Sequence, residues 1–173
     1  PNAQILLKGV GVNPSRTGIL DVLSAAGALV SLDSERLALG EPVADLSVSS
    51  PTALAAFHVS GSLVPRLIDE IPVLAVLATQ CDGTSTFRDA KELRVKESDR
   101  VESVARALQA MGADVETFED GLAVTGPTSL RGAEIDAGLD HRIAMAFAVA
   151  GLVADGFTTI HGAESVQTSR SEE

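Results

Sequence analysis

Two short segments hold most of the chemistry available to this chain: Arg94-Val95-Lys96-Glu97-Ser98-Asp99-Arg100, and, about forty residues on, Asp140-His141-Arg142-Ile143-Ala144-Met145. Each sets charges of both signs at a predicted helix start, where unpaired backbone N–H groups already favour anions. Arg100 and Arg142 carry planar guanidinium forks that donate two parallel hydrogen bonds to a carboxylate or phosphate. Lys96 supplies a compact ammonium that can offset charge developing on a bound anion. Glu97, Asp99 and Asp140 add three carboxylates to the two segments, acid/base groups of a kind worth roughly 10²–10⁴-fold when well placed. His141 has the one side chain whose ordinary pKa lies near neutrality. The pattern is an anion site with acid/base groups beside it. Each residue also has a plainer reading: Arg100 and Arg142 as salt-bridge partners of Asp99 or Asp140, Lys96 as a solvated lysine paired to a neighbour, Asp69 as a helix N-cap, His141 as a structural donor.

Bulk composition narrows the partners. With 173 residues, 45% of them hydrophobic, the chain can bury the core of one domain. A net charge of −11, no Trp and no Tyr argue against nucleic acid, which asks for a basic face with interleaved aromatics. A small molecule is the expected ligand. Because overall acidity repels phosphorylated ligands at long range, any anion site must rest on local Arg and Lys. Cys81 is the single cysteine, which excludes an intrachain disulfide and fits a reducing cytoplasm. No His or Cys pair has metal-ligand spacing, so no metal is expected. No apolar run approaches the roughly 20 residues that span a bilayer, so no membrane partner is expected either. The start at Pro1 and the polar end Ser169-Arg170-Ser171-Glu172-Glu173 read as ends set by cutting or processing.

The elements that must position these residues repeat. Ala25-Ala26-Gly27-Ala28-Leu29-Val30 matches Ala110-Met111-Gly112-Ala113-Asp114-Val115, each closing a predicted helix and opening a strand. Asp69 opens an apolar run ending in Asp82-Gly83-Thr84-Ser85-Thr86, and Asp140 opens one ending in Asp155-Gly156-Phe157-Thr158-Thr159. Each unit reads helix, strand, helix, strand, strand. In the second, 72–81 is apolar on most faces and predicts a buried helix capped by Asp69, with Pro72 tolerated in its first turn. A short strand follows over 84–88. Residues 98–111 carry Val101, Val104, Ala105, Leu108 and Met111 at helical spacing, with Gly112 as C-cap. Strands 115–118 and 122–124 flank Glu119-Asp120-Gly121, a hairpin signal. The first unit enters late, at strand 5–10, and the third stops near Thr168, before its amphipathic helix. His58 and His161 fall in predicted strands as ordinary surface or edge residues. Gly9-Val10-Gly11 reads as a turn, since GxG without a third glycine and a following helix is a weak nucleotide signature.

The two charged segments, together with Asn13-Pro14-Ser15-Arg16-Thr17-Gly18 and Leu67-Ile68-Asp69-Glu70-Ile71-Pro72, closely resemble signature segments of the EPSP synthase (3-phosphoshikimate 1-carboxyvinyltransferase) family over nearly the whole chain. The resemblance implies an α/β domain of repeated βαβαββ units around buried helices, 1–173 forming most of the C-terminal domain of a two-domain enzyme with incomplete first and third units. It implies transfer of the enolpyruvyl group of phosphoenolpyruvate to the 5-hydroxyl of shikimate 3-phosphate, with release of phosphate and no cofactor. It further implies catalytic roles for Asp69, Glu97, Lys96 and His141, and substrate contacts from Asp69, Lys96, Arg100 and Arg142. The N-terminal domain of the same enzyme is the implied protein partner. One departure stands out: family members often place a basic residue at the start of the third unit's last helix, where this chain has Val166-Gln167-Thr168-Ser169-Arg170, and Arg170 is left out of the site.

Two rival readings make different demands. A UDP-N-acetylglucosamine enolpyruvyl transferase would share the fold and the donor, although the lysine–glutamate and histidine–arginine pairs in these contexts favour the shikimate enzyme. A non-catalytic α/β interaction module would leave the charged segments scattered over the surface.

Overall fold

A computed structural model describes residues 3–170 of the chain, and side chains of 168–170 lie outside that description. The first unit runs β1 (Gln4–Gly11), α1 (Gly18–Ala25), β2 (Leu29–Ala38) and β3 (Glu41–Ser49). Its three strands form an antiparallel sheet in the order β1-β3-β2. Short strands β4 (Leu54–Ala55) and β5 (His58–Val59) then lead into α2 (Ile71–Ala78), β6 (Cys81–Phe87), α3 (Arg100–Ala110), β7 (Asp114–Phe118) and β8 (Gly121–Gly126). Here β4 and β5 run parallel to β6, while β8 lies antiparallel to both β6 and β7. The third unit is β9 (Glu134–Asp136), α4 (His141–Val153) and β10 (Thr159–His161), its two strands parallel, followed by 3-10 turns over Ala163–Arg170. This is the expected repeated α/β architecture, with a short strand leading each of the last two units.

The repeat extends to individual hydrogen bonds. At the exit of α1, Ala26, Gly27 and Ala28 donate to the carbonyls of Val22, Ser24 and Leu23; at the exit of α3, Met111, Gly112 and Ala113 donate to Ala107, Gln109 and Leu108, the same bonds 85 positions later. Both glycines have positive φ, +95° and +90°, which an L side chain resists and which closes a helix.

The core sits between the helices. Every residue of α2 is apolar, which suits a helix surrounded by protein, and Ile71, Leu74, Ala75 and Ala78 are buried. Ile143, Ala144, Phe147 and Ala150 of α4 pack into the same cluster, joined by Val101, Val104, Ala105 and Leu108 of α3. All three helices begin at residues of the charged segments or just after Asp69, so the core fixes the positions of those helix starts.

Several expectations shift. The helix predicted to reach Cys81 stops at Ala78, because the Thr79 hydroxyl turns back to the Val76 carbonyl (2.7 Å) and Cys81 opens β6. The expected N-cap at Asp69 is not formed: Asp69 lies in a 3-10 turn, Ile68–Glu70, Glu70 takes the cap position without a side-chain cap bond, and Pro72 removes one of the N–H groups needing a partner. Gly9-Val10-Gly11 is no turn but the end of β1, where a bulge between Leu7 and Val10 places Gly9 at φ +66°. The strands β4, β5 and β9, two or three residues long, show no alternation by which the sequence could announce them. The expected helix over 98–111 and hairpin around Glu119-Asp120-Gly121 form within two residues of their predicted bounds.

Gly121 is set by close approach. A Cβ there would overlap the carbonyl oxygen of Phe87 and stand 2.8 Å from its carbonyl carbon, and neither backbone atom can move without disturbing β6. Gly121→Ala is therefore expected to lower stability by roughly 2 kcal/mol or more. Gly11→Ala, where a Cβ meets nothing within 4 Å, is expected to be near neutral. Urea unfolding midpoints of the two variants check the contrast.

Candidate active site

Asp140 is the N-cap of α4: its Oδ1 accepts from the Arg142 backbone N–H at 2.9 Å, satisfying one of the unpaired donors of the first turn. The same carboxylate accepts from Arg100 Nε (2.8 Å), Arg100 Nη2 (3.3 Å) and Ser98 Oγ (2.9 Å). It is fully buried, and the Arg100 side chain is 2% exposed. Burial pushes the Asp140 carboxyl upward, but the bonds from Arg100 and Ser98 and the adjacent positive charge outweigh it, so the group stays below the ordinary aspartate range. For Arg100 burial acts to lower the pKa, and Asp140, Glu97 and Asp69 outweigh it and hold the guanidinium charged.

From this buried pair the network reaches outward. Arg100 Nη1 donates to Asp69 Oδ1 (3.0 Å) and Nη2 donates to Glu97 Oε2 (2.7 Å), while the Glu97 side chain remains 51% exposed. Arg142 Nη2 stands 3.7 Å from Asp69 Oδ2, and Arg142 Nη1 stands 3.6 Å from Glu70 Oε1. Those separations are ion pairs but too long for hydrogen bonds, so the Arg142 fork is charge-paired without being geometrically committed. It faces a cavity of about 160 Å³ shared with Asp69, Glu70, Val73, Met145, Ala146 and Val149.

Asp69, Glu97, Arg100 and Arg142, spread over three helix starts, thus meet in one connected cluster, contrary to the scatter an interaction module would show. Lys96 is paired outside it, its ammonium 2.6 Å from Glu92 Oε1, as the plainer reading of that lysine allowed. His141, first residue of α4, is partly exposed and has no side-chain hydrogen bond among the described residues. Arg100 also meets its plainer reading, a bridge to Asp140, so only Arg142 presents a loosely held fork. Two contributors lay unassigned in the sequence, Ser98 and Glu70; a serine two residues before a helix and a second acid after Asp69 are too common to signal a role. Arg94 belongs to the scaffold: it donates to the Phe118 and Glu119 carbonyls and to Asp99, the N-cap of α3. Cys81 stands apart, its thiol pushed up to about 11 by burial and therefore a poor nucleophile at neutral pH. Among the described residues no group of His, Cys, Asp and Glu could hold a metal ion, and no helix is long and apolar enough to cross a membrane.

Comparison with known proteins fits this geometry. Residues 1–171 match the family model for EPSP synthase (3-phosphoshikimate 1-carboxyvinyltransferase). The chain is 52% identical to the 3-phosphoshikimate 1-carboxyvinyltransferase of Thermosynechococcus vestitus, covering 99% of this chain and 39% of the relative. It is 51% identical to that of Gloeothece citriformis, covering 99% and 38%. Among solved structures, EPSP synthase from Acinetobacter baumannii superposes with a TM-score of 0.93 at 41% identity, over 97% of this chain and 39% of that one. The enolpyruvyl transferase NikO from Streptomyces tendae, at 22% identity and a TM-score of 0.70 over 94% of this chain and 35% of that one, shares the fold. The chain therefore spans about two fifths of the length of the curated relatives it matches.

Removing one partner of a buried ion pair strands the other. Arg100→Met is expected to lower stability by about 3–5 kcal/mol, because Asp140 is left charged and dry. Adding Asp140→Asn should recover part of that loss, since the amide still caps α4 without a charge, and a double-mutant cycle in urea measures the coupling. The sign of the pH effect follows from the depressed carboxyl. Its contribution is complete above the unfolded aspartate value of about 3.9 and is lost as pH falls through the lower folded value. Asp140→Asn should therefore flatten the stability profile below about pH 4 and leave its slope between pH 5 and 8 unchanged, as acid titration of the unfolding midpoint will read.

Proposed function

The chain belongs to the EPSP synthase family, and from that premise we propose that the protein it forms part of transfers the enolpyruvyl group of phosphoenolpyruvate to the 5-hydroxyl of shikimate 3-phosphate. On this reading 1–173 is most of the C-terminal domain of a two-domain cytoplasmic enzyme, its N-terminal domain supplying the rest of the site and no cofactor taking part. The observation that carries the proposal is the meeting of Asp69, Glu97, Arg100 and Arg142 in one cluster of alternating charge at the starts of α2, α3 and α4.

The reaction needs a proton acceptor at the attacking hydroxyl, a proton donor at the methylene carbon, and cations for the carboxylate and phosphate. Asp69 takes the hydroxyl proton as the oxygen bonds to C2 of the enol pyruvate. Glu97, taking up a solvent proton once its carboxylate leaves Arg100, delivers it to C3 and takes one back from C3 as the C2–O bond to phosphate breaks and the double bond is restored, while the proton held by Asp69 passes to the departing phosphate, which leaves as hydrogen phosphate. Arg142, held only by long ion pairs, takes the anionic groups of phosphoenolpyruvate in its fork. Arg100 shares that role by exchange: its bond to the half-exposed Glu97 is the one a substrate carboxylate can replace, which frees Glu97 for proton transfer as the donor binds. Lys96 reaches the site by leaving Glu92, a surface pair worth at most about 1 kcal/mol. His141 stands beside Arg142 as a donor to the leaving phosphate. The rival acting on UDP-N-acetylglucosamine gains nothing from these relatives, both of them 3-phosphoshikimate 1-carboxyvinyltransferases.

Phosphate release by the full-length protein with phosphoenolpyruvate and shikimate 3-phosphate is the test. Release saturable in both substrates is expected, and none from the 173-residue chain alone, because closure of a second domain must complete the site and exclude water. No release from the full-length protein would refute the function, and saturable release by the chain alone would refute its division between domains. Glu97→Gln is expected to lower kcat by about 10²–10⁴-fold with KM values within a few-fold, since the amide keeps the shape but cannot carry the proton. Arg142→Lys should instead raise the KM for phosphoenolpyruvate by about tenfold through loss of the fork.

A further inference from the structure

Between two deeply buried side chains, Leu93 and Arg100, runs the segment 94–99, in which no residue is buried and which carries Lys96 and Glu97. Val95, its one apolar side chain, is exposed, so the segment has no hydrophobic anchor. What holds it is polar. Arg94, in the 3-10 turn Lys91–Val95, donates through Nε to the Glu119 carbonyl (2.9 Å) and through Nη2 to the Phe118 carbonyl (2.6 Å). Its Nη1 donates to Asp99 Oδ2 (2.8 Å), while Asp99 Oδ1 accepts from the Glu102 N–H (3.1 Å) as the N-cap of α3. The Arg94–Asp99 bond thus closes a loop over Val95, Lys96, Glu97 and Ser98, and the same guanidinium ties that loop to the hairpin joining β7 and β8.

The hairpin is a fixed support. The Asp89 N–H donates to Asp120 Oδ2 (3.0 Å), the Ala90 N–H donates to the Asp120 carbonyl (2.8 Å), and the Arg88 guanidinium lies 4.2 Å above the Phe118 ring. These contacts bind the hairpin to the chain leaving β6, so Arg94 grips a part of the sheet rather than a free turn. At the other end of the loop, Ser98 Oγ donates to Asp140 (2.9 Å). The Glu97 side chain, by contrast, hydrogen-bonds among the described residues to Arg100 alone, at 2.7 Å, and that is the bond a substrate carboxylate replaces in the reaction proposed above.

Resting on that function, we infer that Arg94 is a positioning residue for Glu97: by closing the 94–99 loop against the β7–β8 hairpin it holds the Glu97 carboxylate at the reacting carbon once Arg100 has turned to the substrate. The contacts of Arg94 lie outside the charged cluster, so ligand binding leaves them intact. An arginine suits the task because its planar guanidinium meets two successive carbonyls along one edge and a carboxylate at the other, whereas a lysine has a single nitrogen for all three. The stake is large, since a misplacement of about 1 Å in a reacting group can cost about 10²-fold in rate.

The test uses the full-length protein and reads phosphate release and urea midpoints. For Arg94→Gln, kcat should fall by about 10- to 100-fold while both KM values stay within about threefold. The urea midpoint should fall as well, since the cap of α3 loses a partner, so the deciding readout is a double variant. In a Glu97→Gln background no proton-carrying carboxylate is left to misplace, and adding Arg94→Gln should lower kcat by less than about twofold, where a merely structural role would take its full toll again. Arg94→Lys keeps the pair with Asp99 but not both carbonyls, and should recover part of the kcat loss. Asp99→Asn retains an N-cap acceptor of similar quality, hence the fold, but weakens the clasp; it should lower kcat by about 3- to 10-fold at a nearly unchanged urea midpoint, and it carries the test if Arg94→Gln does not fold. A wild-type kcat in folded Arg94→Gln or in Asp99→Asn, or an undiminished Arg94→Gln loss in the Glu97→Gln background, would overturn the inference while leaving the function standing. A wild-type protein without turnover on these substrates would instead remove the function, and the inference with it.

Discussion

The arrangement depends on one buried ion pair. Removing a carboxylate and a guanidinium from water costs several kcal/mol per ion, and their attraction offsets this only where geometry is good and the remaining hydrogen-bonding capacity is filled. Asp140 meets that condition, taking bonds from Arg100 Nε and Nη2, Ser98 Oγ and the Arg142 backbone. Since these donors come from the start of α3 and the first turn of α4, satisfying one carboxylate ties two helix starts together. The outward side of Arg100 then draws in Asp69 from the turn before α2. Three helix N-termini with their charged neighbours are brought to one place by the requirement that a single dry charge not be left unpaired.

The repeat explains why such a meeting is available. Asp69 and Asp140 occupy corresponding places before the two buried helices, and corresponding helices start at the same end of the core. The two carboxylates stand in different surroundings. Asp140 caps its helix and is sealed in, whereas Asp69 is released from capping by the 3-10 turn and by Pro72, and its carboxylate stays 31% exposed between two arginines. One carboxylate is sealed into the scaffold and the other stays open to solvent.

Much of this was legible in the sequence, for a physical reason in each case. The apolar spacing of Val101, Val104, Ala105 and Leu108 could serve only a helix with one buried face, and Glu119-Asp120-Gly121 between alternating runs could serve only a hairpin. The convergence of Asp69, Arg100 and Arg142 followed from the repeat. What escaped was anything lacking a period or set by long-range competition. Strands of two or three residues carry no alternation. The depth of Arg100 ran against the strong default that a charged residue at a helix start is solvated. The choice of Lys96 between Glu92 and the cluster depends on side-chain direction around 3-10 turns and bends, which spacing does not encode.

The cations of the cluster form a gradient of commitment, and the gradient suits a site that must exchange partners. Arg100 lies 2% exposed on three carboxylates, and its bonds to Asp140 cannot open without stranding a dry charge. Arg142 is 28% exposed at ion-pair distances of 3.6 and 3.7 Å, so a bidentate anion offers it shorter bonds than it already has. Lys96 gives up only a solvent-screened pair with Glu92. On the function proposed above, binding an anion draws first on the groups with least to lose, while the Arg100–Asp140 pair holds the three helix starts in register. A cluster in which every arginine were held as Arg100 is would offer a ligand only exchange with a carboxylate already bound. One in which every arginine were as free as Arg142 would have no fixed geometry to offer it.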